Sequence, residues 1–142
     1  MKLLAFDLGD RRVGVALHDD PDLPARPLTT LEVNRQNATD VIAAFVTTER
    51  PDAIVVGLPL RLDGREGTSS RAARRIARAL GERTGVPVHL QDERLTTVAA
   101  HRNRIAAGVR GRAEIDSHAA AVILQTYIDT QSRSWRRDEP PA

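Results

Sequence analysis

The sequence predicts an α/β domain: a five-stranded mixed sheet, three strands antiparallel and two further strands parallel, flanked by helices. Three observations lead there. Two apolar runs near the start are separated by only three residues, a later run "DAIVVGLP" is almost wholly apolar, and from that run onward strand patterns alternate with helical ones. The first signals a hairpin, the second a central strand covered on both faces, and the third crossover connections that make later strands parallel to the first or to each other.

In order, "KLLAFDL" and "RVGVALH" flank the turn "GDR", and "PLTTLEV" follows the loop "DDPDLPARP" as a third strand. A helix is expected over residues 38 to 49, where Val41, Ile42, Phe45 and Val46 recur at helical spacing. "DAIVVGLP" is the fourth strand. The loop "LRLDGREGTSS" contains the turn pair Asp63-Gly64, faces substrate in the favoured reading, and supplies Thr68, Ser69 or Ser70 as N-cap of the next helix. "GVPVHLQDE" is the fifth strand, followed by helices over residues 95 to 107 and 114 to 128. Periodicity ends there, so residues 1–130 are expected to form one domain and residues 131–142 a flexible tail.

Composition narrows the chemistry. The chain of 142 residues is long enough to bury one core, and with 41% hydrophobic but only 3% aromatic residues that core must be aliphatic. No run approaches the roughly 20 apolar residues that span a bilayer, and charge interrupts the N-terminal residues too early for a signal peptide. A soluble cytoplasmic protein with no membrane partner is expected. The absence of cysteine excludes disulfides, thiolate nucleophiles and cysteine zinc sites, leaving acid, base, hydroxyl or metal chemistry. The net charge of +2 is small but unevenly spread: residues 1 to 60 hold six basic and nine acidic groups, whereas residues 94 to 112 hold five arginines and no acid. Such segregation suits an anionic partner, or a solvated helix face with its adjoining loop.

One carboxylate stands out. Asp7 interrupts the apolar run "LLAFDL", and a charge taken out of water costs several kcal/mol unless something pairs with it. Sheets of this type bind ligands beyond the carboxyl ends of their parallel strands, and Asp7 lies near such an end. Asp92 and Glu93 stand where the fifth strand runs out, and strand alternation points only one of them inward. Asp116 opens the last helix, where the stripe Ala120, Ile123 and Tyr127 turns it toward the sheet. Three gathered carboxylates repel one another unless a divalent cation holds them. Carboxylate oxygens suit Mg2+ or Mn2+, and two such ions about 3.5 to 4 Å apart clamp a phosphodiester for attack by water.

The segments "FDLGDRRVGVA", "VVGLPLRLDGREG", "DERLTT" and "IDSHAAAVILQTYID" resemble the successive motifs of the YqgF family, described as Holliday junction resolvases and as pre-16S rRNA nucleases. Four motifs in order, over nearly the whole chain, make the resemblance specific. It implies a ribonuclease H-like fold, hydrolysis of nucleic-acid phosphodiesters and a divalent metal, Mg2+ or Mn2+, with two ions. It carries the family's acidic site onto Asp7, Glu93 and Asp116, choosing Glu93 over Asp92, and gives no role to Ser117 or His118. Arg11, Arg12 and Arg94 are the expected phosphate-steering groups, and the expected partner is precursor rRNA or branched DNA. A four-way junction would suit a homodimer, because paired nicks need two sites.

Plainer readings stand beside these. Asp7 could pair with Arg11 or Arg12, Asp116 could be an ordinary acid of a helix's first turn, and "QDER" could be a surface turn. Arg71, Arg74, Arg75 and Arg78 fall at i, i+3, i+4 and i+7 opposite Ala73, Ile76, Ala77 and Leu80, a stripe that could track phosphates or simply face solvent. His89 and His101 have no partner at metal-ligand spacing and are expected to be packing or surface residues. Two further function classes stay open. One is a non-catalytic nucleic-acid-binding or ribosome-assembly module on the same scaffold. The other is a nucleotide-binding protein, since "DLGDRRVG" also resembles the first phosphate loop of the actin and sugar-kinase ATPases.

Overall fold

The computed structural model describes residues 1–61, 63–93 and 112–138. The strands are β1 (Leu3–Leu8), β2 (Arg12–His18), β3 (Arg26–Glu32), β4 (Ala53–Leu58) and β5 (Val88–Asp92). The helices among these residues are α1 (Ala38–Glu49), α2 (Thr68–Thr84) and α3 (Arg112–Asp138). The helix expected over residues 95 to 107, with His101 in it, lies outside the described residues, as does Arg94.

The strands form one sheet in the order β3-β2-β1-β4-β5. β1 and β2 pair antiparallel, as do β2 and β3, whereas β1–β4 and β4–β5 are parallel. The mixed sheet read from the sequence is thus the one observed. β4 is central and buried along its whole length, as its unbroken apolar run requires.

Alternation within each strand sorts residues to two faces. Leu4 and Phe6 of β1, Val13, Val15 and Leu17 of β2, and Ile54, Val56 and Leu58 of β4 form one core with Ile42 and Val46 of α1 and Ala73, Ala77 and Leu80 of α2. The intervening residues Leu3, Ala5, Ala16, Ala53 and Val55 form a second core with Ala119, Ala120, Ile123 and Leu124 of α3.

Two helix boundaries differ from expectation. The N-cap of α2 is Gly67 rather than Thr68, Ser69 or Ser70. Buried Ser70 reaches back from inside the first turn, its hydroxyl accepting the Gly67 N–H at 3.0 Å, which satisfies that donor without a capping side chain. α3 starts at Arg112 and continues to Asp138, beyond the expected span of 114 to 128. No glycine or proline interrupts "QSRSWRRD", so nothing local ends the helical backbone at residue 128. α1 stops where expected, at Arg50 in the left-handed region (φ 52°) just before Pro51. No helix among the described residues is long and apolar enough to cross a membrane.

Candidate active site

Asp7 stands one residue beyond Phe6 in β1, and Phe6 belongs to the core under α1 and α2. Alternation therefore turns Asp7 to the other face, toward α3. It is only 4% exposed, and a charged group so buried in a strand marks a position kept for something other than packing. Directly across the antiparallel ladder lies Gly14 of β2. A Cβ on Gly14 would collide with the backbone carbonyl of Asp116 and sit 2.9 Å from the Ser117 nitrogen. The early turns of α3 therefore rest on the bare backbone opposite Asp7. A glycine among β-branched residues admits this close approach.

On the other side of β1, the parallel register pairs Phe6 with Val56, so Asp7 and Gly57 come to the same level one step along. A Cβ on Gly57 would lie 2.7 Å from Glu93 Oε1 and 2.8 Å from Ile123 Cδ1. The Glu93 carboxylate is thus folded over β4, on the α3 face. Parity along β5 explains why Glu93 and not Asp92 points there. Val88 and Leu90 pack against the α1–α2 core, so Asp92 shares their side, whereas His89, whose ring lies 5.4 Å from that of Tyr127 of α3, shares the side of Gln91 and Glu93.

Asp116 is half-buried and accepts a hydrogen bond from Arg12 Nε at 3.0 Å, with the two side chains 25% and 34% exposed. Arg12 opens β2 on the same face as Gly14, and its Nε is the donor in the side-chain hydrogen bond to Asp116. Arg11 is exposed in the turn between β1 and β2.

The three predicted carboxylates therefore share one face, near the carboxyl ends of the parallel strands. Among the described residues, however, no three Asp, Glu or His side chains stand close enough together to hold one ion. Asp116 is instead engaged by Arg12. The donor chemistry, three hard oxygen ligands, fits Mg2+ or Mn2+, and any cation there competes with Arg12 for Asp116.

A family model described as "RuvX: Holliday junction resolvase" matches residues 1–130. The chain belongs to this family. A relative from Anaeromyxobacter sp. (strain Fw109-5), named "Putative pre-16S rRNA nuclease", is 45% identical over 136 residues, covering 91% of this chain and 97% of the relative. One of the same name from Syntrophus aciditrophicus (strain SB) is 41% identical over 137 residues, with 94% and 91% covered. Among solved structures, Thermus thermophilus RuvC in complex with a Holliday junction substrate superposes with a TM-score of 0.63 at 18% identity, over 93% of this chain and 97% of that one. The fowlpox virus Holliday junction resolvase gives 0.57 at 11% identity, over 92% and 99%. The fold is therefore the ribonuclease H-like fold of these resolvases, and the family resemblance read from the four motifs is confirmed.

Three features of the site were not singled out from the sequence: the Arg12–Asp116 pair and the two glycine seats. The glycines leave a trace, since "RVGVALH" and "AIVVGL" each place a lone glycine inside a strand otherwise built of bulky or apolar residues. The ion pair leaves none, because nothing local links residues so far apart.

Proposed function

We propose that this chain is a metal-dependent nuclease acting on structured nucleic acid, with Asp7, Glu93 and Asp116 as its acidic site and residues 1–130 as its catalytic domain. The observation that supports the proposal is that Asp7, the Glu93 carboxylate over Gly57 and the start of α3 over Gly14 lie on one face of the sheet, near the ends of the parallel strands. Processing of the 5′ end of precursor 16S rRNA in the cytoplasm is the favoured activity, because relatives that align over almost their full length carry that name. Resolution of four-way DNA junctions is the second reading, favoured by the family's own description, and it would call for a homodimer.

Asp7, Glu93 and Asp116 would hold Mg2+ or Mn2+, two ions in the fullest form. When bound, the metal supplies charge that offsets the carboxylates and the charge developing on the phosphate. The protein's own groups do the positioning. Asp7, fixed in the sheet, has little freedom to move. Arg12, held through Nε by Asp116, can present its Nη groups in a fork to two phosphate oxygens. Arg11 and Arg94 are the further phosphate contacts of the proposal.

The test compares wild type with Asp7→Asn on precursor rRNA, junction, duplex and single-stranded substrates, each with Mg2+ or Mn2+. A loss of roughly a thousandfold or more is expected for the variant, the scale on which removing a charge-stabilising group acts. Equal cleavage by both proteins overturns the assignment. Binding without cleavage by either protein identifies a non-catalytic module instead.

A further inference from the structure

The positive charge of this chain is concentrated in two segments. Residues 68 to 84 carry five arginines and one glutamate, residues 94 to 112 carry five arginines and no acid, and the remaining residues hold 11 basic and 18 acidic side chains. An acidic remainder thus carries two basic segments, one of which, α2, begins on the side of the sheet where the parallel strands end. α2 starts after the loop that follows the carboxyl end of β4, and the second segment follows Glu93 directly.

On α2 the charges are ordered. Arg71, Arg74, Arg75 and Arg78 are exposed, while Ala73, Ala77 and Leu80 are buried against the sheet. Their spacings of three and four residues create several adjacent like-charge pairs, each of which destabilises the helix. Arg74 is paired with Glu66, and Arg78 Nε lies 3.3 Å from Glu82 Oε1. Arg71 and Arg75 have no acidic partner among the described residues. A merely solvated helix face favours mixed signs, whereas a row that repels itself is relieved by a polyanion. Beside the row runs a groove of about 570 Å³, with Arg74 and Arg78 on the α2 wall and Val88 and Leu90 on the β5 wall. Gly81 and Glu82 near the end of α2 and Val86 and Pro87 just before β5 also line it, so the groove lies along the far half of the row.

We infer that the exposed face of α2 is a second nucleic-acid contact: the phosphodiester backbone of the strand leaving the active site crosses the rim and follows α2, with its phosphates on Arg71, Arg75 and Arg78. The direction of the strand rests on the nuclease reading. From Arg71 to Arg78 the helix rises about 10 Å at 1.5 Å per residue. That length covers roughly three phosphate-to-phosphate steps at the 3.4 Å axial spacing of one strand of a duplex. Contacts of this kind read charge and shape rather than sequence, in keeping with a chain that has almost no aromatic residues to stack on bases.

The experiment is fluorescence anisotropy on the full chain in a chelator-containing buffer, with labelled duplex, junction and precursor-rRNA fragments titrated across a salt series. The double variant Arg71→Gln/Arg75→Gln is expected to bind roughly tenfold more weakly at low salt, with a log–log salt slope shallower by roughly 1.5 to 2. Arg83→Gln is the control, because Arg83 pairs with Asp40 of α1 at 2.6 Å, and its binding should match wild type. Unchanged affinity and slope in the double variant overturn the inference, as does an equal loss in Arg83→Gln. Cleavage by Asp7→Asn reports separately on the nuclease reading: if that variant still cuts, the proposed site fails while the salt slope still decides whether α2 touches nucleic acid.

Discussion

The two faces of the sheet are built from alternate residues of the same strands, yet they differ sharply in bulk. Toward α1 and α2 the strands present Leu4, Phe6, Val13, Val15, Ile54, Val56 and Leu58. Toward α3 they present Leu3, Ala5, Ala16, Ala53 and Val55, only one of them large, and beside Asp7 the neighbouring strands present the glycines Gly14 and Gly57. Bulky side chains hold a helix away from a sheet and bury area in doing so, whereas small ones let the helix backbone come close. The thick face therefore carries most of the hydrophobic stabilisation. The thin face lets the backbone of α3 and the Glu93 side chain come close to the strands at the level of Asp7.

Neighbouring residues in β1 put this division to its strongest test. Asp7→Asn should abolish most cleavage while shifting stability far less than a core truncation, because the substitution keeps the size of the side chain. Phe6→Ala, one position away on the thick face, should cost about 3 to 5 kcal/mol in urea denaturation, since Phe6 is fully buried and meets Phe45 edge-to-face at 6.4 Å. If Asp7→Asn proved the more destabilising of the two, the separation of roles would be wrong. Next in size, Gly14→Ala and Gly57→Ala should each cost about 1 to 3 kcal/mol by overpacking. Both should lose more activity than stability, because the added methyl meets the backbone at Asp116 in one case and the Glu93 carboxylate in the other. Cleavage rates measured well below each variant's melting temperature would separate the two effects. The smallest change expected is for Arg12→Gln: within about 1 kcal/mol in stability, as for partly exposed ion pairs. The same variant should bind Mn2+ several-fold more tightly in calorimetry without substrate, because the competing cation is gone. Weaker Mn2+ binding would show that Arg12 supports the metal site rather than competing for it.

Much of this division was legible in the sequence, for reasons that also mark where legibility stopped. The hairpin, the central strand and α1 follow from local periodicity, and their observed limits agree with it to within a residue or two. The position of Asp7 followed from a polar residue breaking an apolar run. The choice of Glu93 over Asp92 rested on the family pattern, and the structure supplies its physical basis in the parity of β5. The extent of α3 was not readable, because a helix without breakers has no local stop. The Arg12–Asp116 contact was not readable either: its partners are 104 positions apart, and periodicity carries no information on such pairs.

That separation has a consequence for how the protein is made. Domains are synthesised from the amino terminus, and contacts between distant residues form late because loop closure must precede them. Arg12 is synthesised 104 positions before Asp116, its partner on α3. On the proposed assignment, a polypeptide that stops before α3 lacks Asp116 and should not cleave.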